Sequence, residues 1–189
     1  MGINVHDAGP QKDGYSLIPP GVYRLRARVI AGDAGSDGNL LRAKNGPSLG
    51  LKLECTVIEG EHHGKKVWDW ITCELDEGAL AALTVDKREN FLTAVRLGRK
   101  RLRAILDSAY NIDPSDNSEA ARAKHDFDDY MAFNGLMFYA QIEERAATNS
   151  YKASNTIDFI VTPDDPEYQK QAKKTALALQ KDLDDALPF

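Results

Sequence analysis

The chain has 189 residues and a formal net charge of −5, and 42% of its residues are hydrophobic and 28% are charged. This length suits one domain of about 150 residues with an appendage, and this composition excludes a wholly disordered chain. No apolar run approaches the ~18–20 residues that span a bilayer, and residues 1–14 contain no apolar signal-peptide stretch, so we expect a cytoplasmic protein without a membrane partner.

Residues 1–20 predict a flexible N-terminal arm that ends at Pro19–Pro20. After this arm, three segments alternate apolar and polar residues with a period of two, which is the pattern of half-buried strands. The Gly-, Ser- and Asn-rich residues 32–48 predict a long mobile loop, and GEHHG at 60–64 predicts a hairpin turn. Two more alternating segments follow later in the chain. The five predicted strands are 21–31, 49–59, 65–74, 136–145 and 156–163.

The period changes to that of a helix between the third and fourth predicted strands. Residues 86–110 place Phe91, Val95 and Leu102 on one apolar stripe, and Gly98 predicts a kink or break in the middle. Residues 113–130 are acidic and predict a second, short helix. The C-terminal residues carry a weaker helical stripe before an acidic end.

Five strands with helices between the third and fourth match a mainly β domain, the five-stranded OB-fold barrel. A small α+β sheet of another kind is the alternative. The predicted organisation is an arm at 1–20, an OB-fold domain at 21–163 with a helical insertion at about 80–130, and a tail at 164–189.

Sequence motifs for catalysis or metal binding are missing. Cys55 and Cys73 fall in strand segments and form no CxxC pair, so we expect reduced core thiols rather than a disulfide. HExxH, GxSxG and phosphate-binding loop motifs do not occur. The segment DFDDY at 126–130 fits a solvated acidic helix, with a nuclease metal site as the alternative. We therefore predict a protein that is not an enzyme and that holds no cofactor or metal.

The outward residues of the first three strands combine cations with both tryptophans of the chain. Because Val67 and Ile71 are expected to face the core from the third strand, Trp68 and Trp70 are predicted on the outer side. Base–aromatic stacking contributes ~1–3 kcal/mol per base, and cations neutralise phosphate. The alternatives are tryptophans packed under the helical insertion and cations that form a solvated face. Asp69, on the supposed core side, leaves the assignment of the two faces open.

Cations outside these strands extend the prediction. The first and last inter-strand loops of an OB fold border its groove, and the 96–103 segment RLGRKRLR forms a basic helix that contacts phosphate or is simply solvated. The residues predicted to bind nucleic acid are Arg24, Arg26, Arg28, Arg42, Lys44, Lys52, Lys66, Trp68, Trp70, Arg99, Arg103, Tyr151 and Lys152.

The chain ends DLDDALPF, an acidic run followed by an apolar tip. One use of such a tip is docking in a basic-rimmed pocket of another protein, and a second is competition with nucleic acid for the chain's own basic face. A frayed end without function is the alternative. The predicted partner-binding residues are Asp182, Asp184, Asp185, Leu187, Pro188 and Phe189.

This tip resembles the Asp-Asp-Asp-Ile-Pro-Phe end of bacterial single-stranded DNA-binding proteins, with Ala186 at the third aspartate position and Leu187 in place of Ile. Residues 18–75 are similar to phage-encoded single-stranded DNA-binding proteins, in which a G-x-Y strand precedes a hairpin with G-x-x-x-G-(K/R) in its turn. The residues that carry this similarity are Gly21, Tyr23, Gly60, Gly64 and Lys65.

The resemblance implies an OB fold and sequence-independent binding of single-stranded DNA in the cytoplasm of a bacterial host. It also implies a tail that recruits replication, recombination or repair proteins. Strand annealing and recombinase loading are alternatives with the same binding face, and a metal-dependent nuclease is a third. The sequence does not determine the oligomeric state.

Overall fold

The structure, a computed structural model, describes residues 16–149 and 151–186, with side chains described up to residue 177. These residues form a mostly β protein with a six-stranded antiparallel sheet and four α-helices. The strands are β1 (Gly21–Ile30), β2 (Leu41–Arg42), β3 (Ser48–Val57), β4 (Lys66–Leu75), β5 (Met137–Arg145) and β6 (Ser154–Val161). The helices are α1 (Glu77–Ala81), α2 (Val85–Tyr110), α3 (Glu119–His125) and α4 (Pro166–Ala186), and Tyr130–Phe133 forms a short 3-10 turn.

The sheet order is β2-β3-β1-β5-β6, and β4 pairs with the other edge of β3. The five strands expected from the alternation are present, and the expectation missed only the two-residue β2. Among the described residues no ladder joins β4 to β6, so the sheet is open and the predicted closed barrel is wrong in this respect. Within the same ranges, no helix has the length and apolar character needed to cross a bilayer.

The inner face of the sheet and one side of α2 form the core. Leu25, Leu53 and Ile71 are fully buried from three adjacent strands, and Leu102 and Ile105 of α2 pack against them. The period-two and helical stripes of the sequence therefore correspond to the buried faces. Both cysteines are buried and unlinked, as expected, and burial raises the pKa of each thiol.

Helix α2 is continuous from Val85 to Tyr110, so the expected break at Gly98 does not occur. At this position a Cβ atom would lie 1.9 Å from the carbonyl oxygen of Thr72 on β4. Glycine is therefore required for close approach between helix and strand, and it is tolerated in the helix because packing on the sheet compensates its low propensity. The predicted second helix is α3, and Ser118 caps it by accepting from the Ala121 amide.

An arginine from α2 bridges the seam between the edge strands β4 and β6. Arg101 Nε donates to Asp69 Oδ2 at 2.7 Å, and its two Nη atoms donate to the carbonyls of Ile157 and Asp158 at 2.8 and 3.1 Å. Burial raises the pKa of the Asp69 carboxyl, while the Arg101 charge acts in the opposite direction. Asp69 thus occupies the core side of β4 as the partner of Arg101, and the two faces of β4 are not inverted.

The end of the N-terminal arm bridges the same seam closer to the starts of β4 and β6. The Ile18 amide donates to Asn155 Oδ1 at 2.8 Å, and Asn155 Nδ2 donates to the Ile18 carbonyl at 2.7 Å. Lys65 Nζ donates to Ser16 Oγ at 2.7 Å. Ile18 is buried, so the predicted flexible arm is anchored from residue 16 onward, and residues 1–15 lie outside the described ranges.

The segment between β1 and β3, predicted as a mobile loop, is held by polar contacts at its centre. Asp37 accepts from the Tyr130 amide at 2.7 Å, and Glu74 accepts from the Ser36 amide at 2.9 Å and its hydroxyl at 2.5 Å. Tyr130 also donates its hydroxyl to Glu74 at 3.2 Å. These bonds connect the loop to the end of β4 and to the 3-10 turn.

Candidate nucleic-acid interface

Trp68 and Trp70 lie on the outer face of β4, where they are 46% and 40% exposed. Helix α2 packs on the inner face, so the tryptophans are not covered by the helical insertion. The indole of Trp70 lies directly above Gly50 of β3, because a Cβ atom at Gly50 would fall 2.3 Å from the ring. The absent side chain lets the ring lie close to the sheet, and the residue remains 40% exposed.

Glu54 of β3 forms ion pairs with two of the predicted phosphate-binding cations. Arg28 binds both Glu54 carboxylate oxygens at 3.0 Å, and Lys66 Nζ lies 2.9 Å from Oε1. Hydrogen bonds from Arg28 and then Lys66 lower the pKa of the Glu54 carboxyl to about 2, so it is ionised at neutral pH. In the ladder Glu54 is opposite Trp68, and the centre of this face therefore carries one net positive charge rather than two.

Arg26 and Lys52 complete the outer face without an ion pair among the described residues. Arg26 is exposed on β1, with Nη2 4.0 Å from the sulfur of Met137. Lys52 is opposite Trp70 in the β3–β4 ladder. Lys52 next to Trp70, and Arg26 on the same face two strands away, can therefore bind phosphate without losing a carboxylate partner.

Helix α4 covers a neighbouring part of the outer face. Tyr168 is 6% exposed and packs edge-on against Tyr139 of β5, with ring centroids 5.2 Å apart. Its hydroxyl donates to the Ser108 carbonyl at 3.0 Å. Thr175 Oγ1 lies 3.0 Å from the Tyr139 hydroxyl and donates to Glu59 Oε2 at 2.8 Å. The first half of the predicted tail is therefore a helix docked on the sheet.

Arg24 lies in this covered region and not on the open part of the face. Its Nη1 is 2.6 Å from Glu59 Oε1, and its guanidinium carbon lies 6.0 Å from the centroid of the Tyr139 ring. Glu59 and Tyr139 also bind Thr175 of α4, so Arg24 lies beneath this helix. Arg26 and Arg28, on the same strand, lie on the open part of the face.

The loop residues of the prediction are dispersed. Arg42 of β2 forms an ion pair with Asp76 at 2.6 Å, and Lys44 is exposed in the turn before β3. Tyr151 is 78% exposed and Lys152 is exposed in the connection from β5 to β6. The structure shows no contact between these residues and the tryptophans.

Arg99 and Arg103 lie on α2, in the layer on the inner side of the sheet. They are two positions from Arg101, so they point to the opposite side of the helix and away from the seam. Arg103 Nη2 donates to the Pro114 carbonyl at 2.9 Å, and its Nε lies 3.7 Å from Asp107 Oδ2. The structure therefore does not bring these two arginines to the tryptophan face.

The acids at 126–130 are exposed, and among the described residues no group of His, Cys, Asp or Glu is arranged to hold a metal ion. Asp182, Asp184 and Asp185 fall in the last turns of α4, where only the backbone is described. Residues 187–189 lie outside the described residues, so partner binding by the tip stays a prediction.

Sequence reasoning missed two residues of this region, Glu54 and Phe159. Glu54 occupies an outward position of an alternating segment, and a carboxylate there was a usable signal. Phe159 is 46% exposed on β6, although the alternation places it on the core side with Ile157. No local sequence signal reveals that exception.

Comparison with known proteins adds little to this description. No family model matches the chain, and no curated protein matches it. A solved structure of yeast RPA bound to ssDNA is similar over 99% of this chain and 98% of that chain, at 10% identity and a TM-score of 0.29. At that score the two backbones do not superpose as one fold, so no site residue is transferred from it.

Proposed function

We propose that this protein binds single-stranded DNA independently of sequence and without catalysis. The observation that carries the proposal is the pair of exposed tryptophans on an outer sheet face, with Lys52 opposite Trp70 and Arg26 on the same face two strands away. Every base has a π-face that stacks on an indole, whereas a duplex hides its bases from such a surface. Unpaired cations next to the rings supply the neutralisation of phosphate.

The strand path supports an OB-like form of this binding domain. Strands β1, β3 and β4 follow one another in a meander, α2 intervenes, and β5 and β6 return to the other edge of β1. An OB fold is a five-stranded, partly open Greek-key barrel that binds oligonucleotides on its second and third strands. Those strands correspond to β3 and β4, and here Arg101 spans the position at which a barrel would close.

A phage origin, and work in replication, recombination or repair in the host cytoplasm, complete the proposal. They are supported by the similarity of residues 18–75 and of the C-terminal tip to the two protein groups described above. A protein that covers exposed single strands protects them and recruits other proteins to them.

Titration with oligo-dT tests the binding directly. Because both tryptophans of the chain lie on the proposed face, we expect strong quenching of the intrinsic fluorescence at low salt. The affinity is expected to fall as salt rises, with a logarithmic slope of about 0.7 per phosphate contacted on a single strand. Oligonucleotides of equal length and mixed sequence are expected to bind with similar affinity. Unchanged fluorescence together with no anisotropy change of labelled DNA overturns the proposal.

Deleting residues 182–189 tests the proposed recruiting tip. The shortened chain keeps Tyr168 and Thr175, so α4 is expected to stay docked and oligo-dT binding to be unchanged or tighter. Capture of immobilised replication, recombination or repair proteins is expected to be lost. A matched variant removes Leu187, Pro188 and Phe189, which keeps the aspartates and deletes the apolar end. Weaker DNA binding by the shortened chain contradicts this role of the tip.

A further inference from the structure

Phe159 is a large apolar side chain that β6 presents to solvent although the strand pattern predicts it buried. Ile157 and Ile160 of the same strand are buried, and a regular strand would alternate their faces. One exposed aromatic residue is common on protein surfaces. Its position in the fold is what makes this one informative.

A β-bulge puts Phe159 on the outer face. In the ladder Ile142 pairs with Ile157 and Gln141 pairs with Phe159, so Asp158 is an extra residue on β6. Such an insertion resets the alternation, because two residues of one strand face one residue of the other. After the bulge Phe159 points outward and Ile160 points inward.

The seam contacts place Phe159 beside the tryptophans. Each step from β4 through β3, β1 and β5 to β6 is antiparallel, so β4 and β6 run in the same direction. Arg101 contacts Asp69 on β4 and the carbonyls of Ile157 and Asp158 on β6, so these residues of the two strands are neighbours. One residue further along each strand are Trp70 and Phe159, and both are exposed.

The charges around the seam are arranged in two groups. Lys52 and Arg26 lie on β3 and β1, whereas the exposed carboxylate of Asp158 lies on β6 next to Phe159. Phosphates are attracted to the first group and repelled by Asp158. A single strand on this surface therefore has its backbone on the β3 side and its bases directed toward the seam.

We propose that Phe159 is a third base-stacking residue and that bases of bound single-stranded DNA reach across the seam from β4 to β6. This inference rests on the proposed function and extends the binding face by one strand. A phenyl ring stacks any base, so the added contact is as independent of sequence as those of the tryptophans.

A fluorescent reporter at this position tests the proposal. The chain has two tryptophans, so a W68F/W70F/F159W variant contains a single tryptophan on β6 and keeps aromatic rings on β4. We expect saturating oligo-dT to quench this tryptophan, with binding confirmed by the anisotropy of labelled DNA. The matched control W68F/W70F/L97W carries its tryptophan at an exposed position on α2 and is expected to stay unquenched.

The variant F159A completes the test in the otherwise unchanged chain. Loss of one stacked base is expected to weaken oligo-dT binding by about 5- to 150-fold, with little change in Tm because the ring is exposed. If wild-type fluorescence is quenched while the F159W reporter is silent and F159A binds normally, this inference alone is overturned. If the wild-type tryptophans are also silent and no DNA is bound, the proposed function fails as well.

Discussion

Replacement of Arg101 by alanine is expected to lower the free energy of unfolding by about 2–4 kcal/mol. The substitution leaves the Asp69 carboxylate without its partner, and the Asp69 side chain is only 13% exposed. It also removes two hydrogen bonds from the guanidinium to carbonyls of β6. Breaking a fully buried ion pair typically costs about 3–5 kcal/mol. We expect a somewhat smaller loss here because the Arg101 side chain is 23% exposed. Urea unfolding followed by circular dichroism measures the change.

Arg99 provides the matched control for this experiment. It is exposed on the same helix and forms no ion pair among the described residues, so R99A is expected to change the stability by at most about 0.5 kcal/mol. A double-mutant cycle with D69N measures the coupling between Arg101 and Asp69. Equal stability of R101A and R99A would show that the seam is held without this contact.

Replacement of Trp68 or Trp70 by alanine is expected to weaken oligo-dT binding by about 1–3 kcal/mol each, or about 5- to 150-fold in Kd. Both residues are exposed on the outer face, so truncation removes aromatic area that a bound base would stack on. The slope of affinity against salt is expected to stay the same, because Arg26 and Lys52 remain. Fluorescence anisotropy of labelled oligonucleotide measures both quantities.

Two comparisons separate stacking from charge. W68F and W70F keep a ring at each position and are expected to retain most of the affinity, whereas a combined R26A and K52A change is expected to reduce the salt slope. The melting temperature of each variant shows whether folding is affected, especially for Trp70, which packs on Gly50. If both alanine variants bind like the wild type, DNA does not stack on β4 and another surface carries the binding.

The docked helix α4 changes how the C-terminal region is understood. Tyr168 and Thr175 attach its first half to the outer face, next to the open basic surface. The acidic tip therefore starts from a defined place on the domain rather than from a free tail beginning at residue 164.

The alternation of residues was sufficient to predict the strands and favoured the outer position of both tryptophans, which the contact of Asp69 with Arg101 then decided. Period-two patterning is a local property, since successive side chains of a strand point to opposite sides wherever the strand lies. The helical stripe at 86–110 was equally informative, and the buried residues of α2 follow it. For these elements, the sequence determined which face meets the core.

Charge pairing was decided by the tertiary structure. The sequence contains Arg28, Lys66 and Glu54 far apart, and only the register of three strands makes one carboxylate pair with both cations. Arg24 is likewise separated from the open face by a helix that begins more than a hundred residues later. Ion pairs depend on distances between distant segments, and a linear pattern contains no information about them.

The backbone at the seam between β4 and β6 is likewise not predictable from the linear pattern of residues. A single extra residue, Asp158, reverses the face of Phe159, and the contacts of Arg101 explain both this bulge and a carboxylate on the core side of β4. Gly98, which suggested a broken helix, is instead the point where α2 touches the sheet. The sequence by itself determined the elements and their buried faces, because these follow from local periodicity. The tertiary structure decided which polar and aromatic groups meet, because that follows from register and packing across the whole chain.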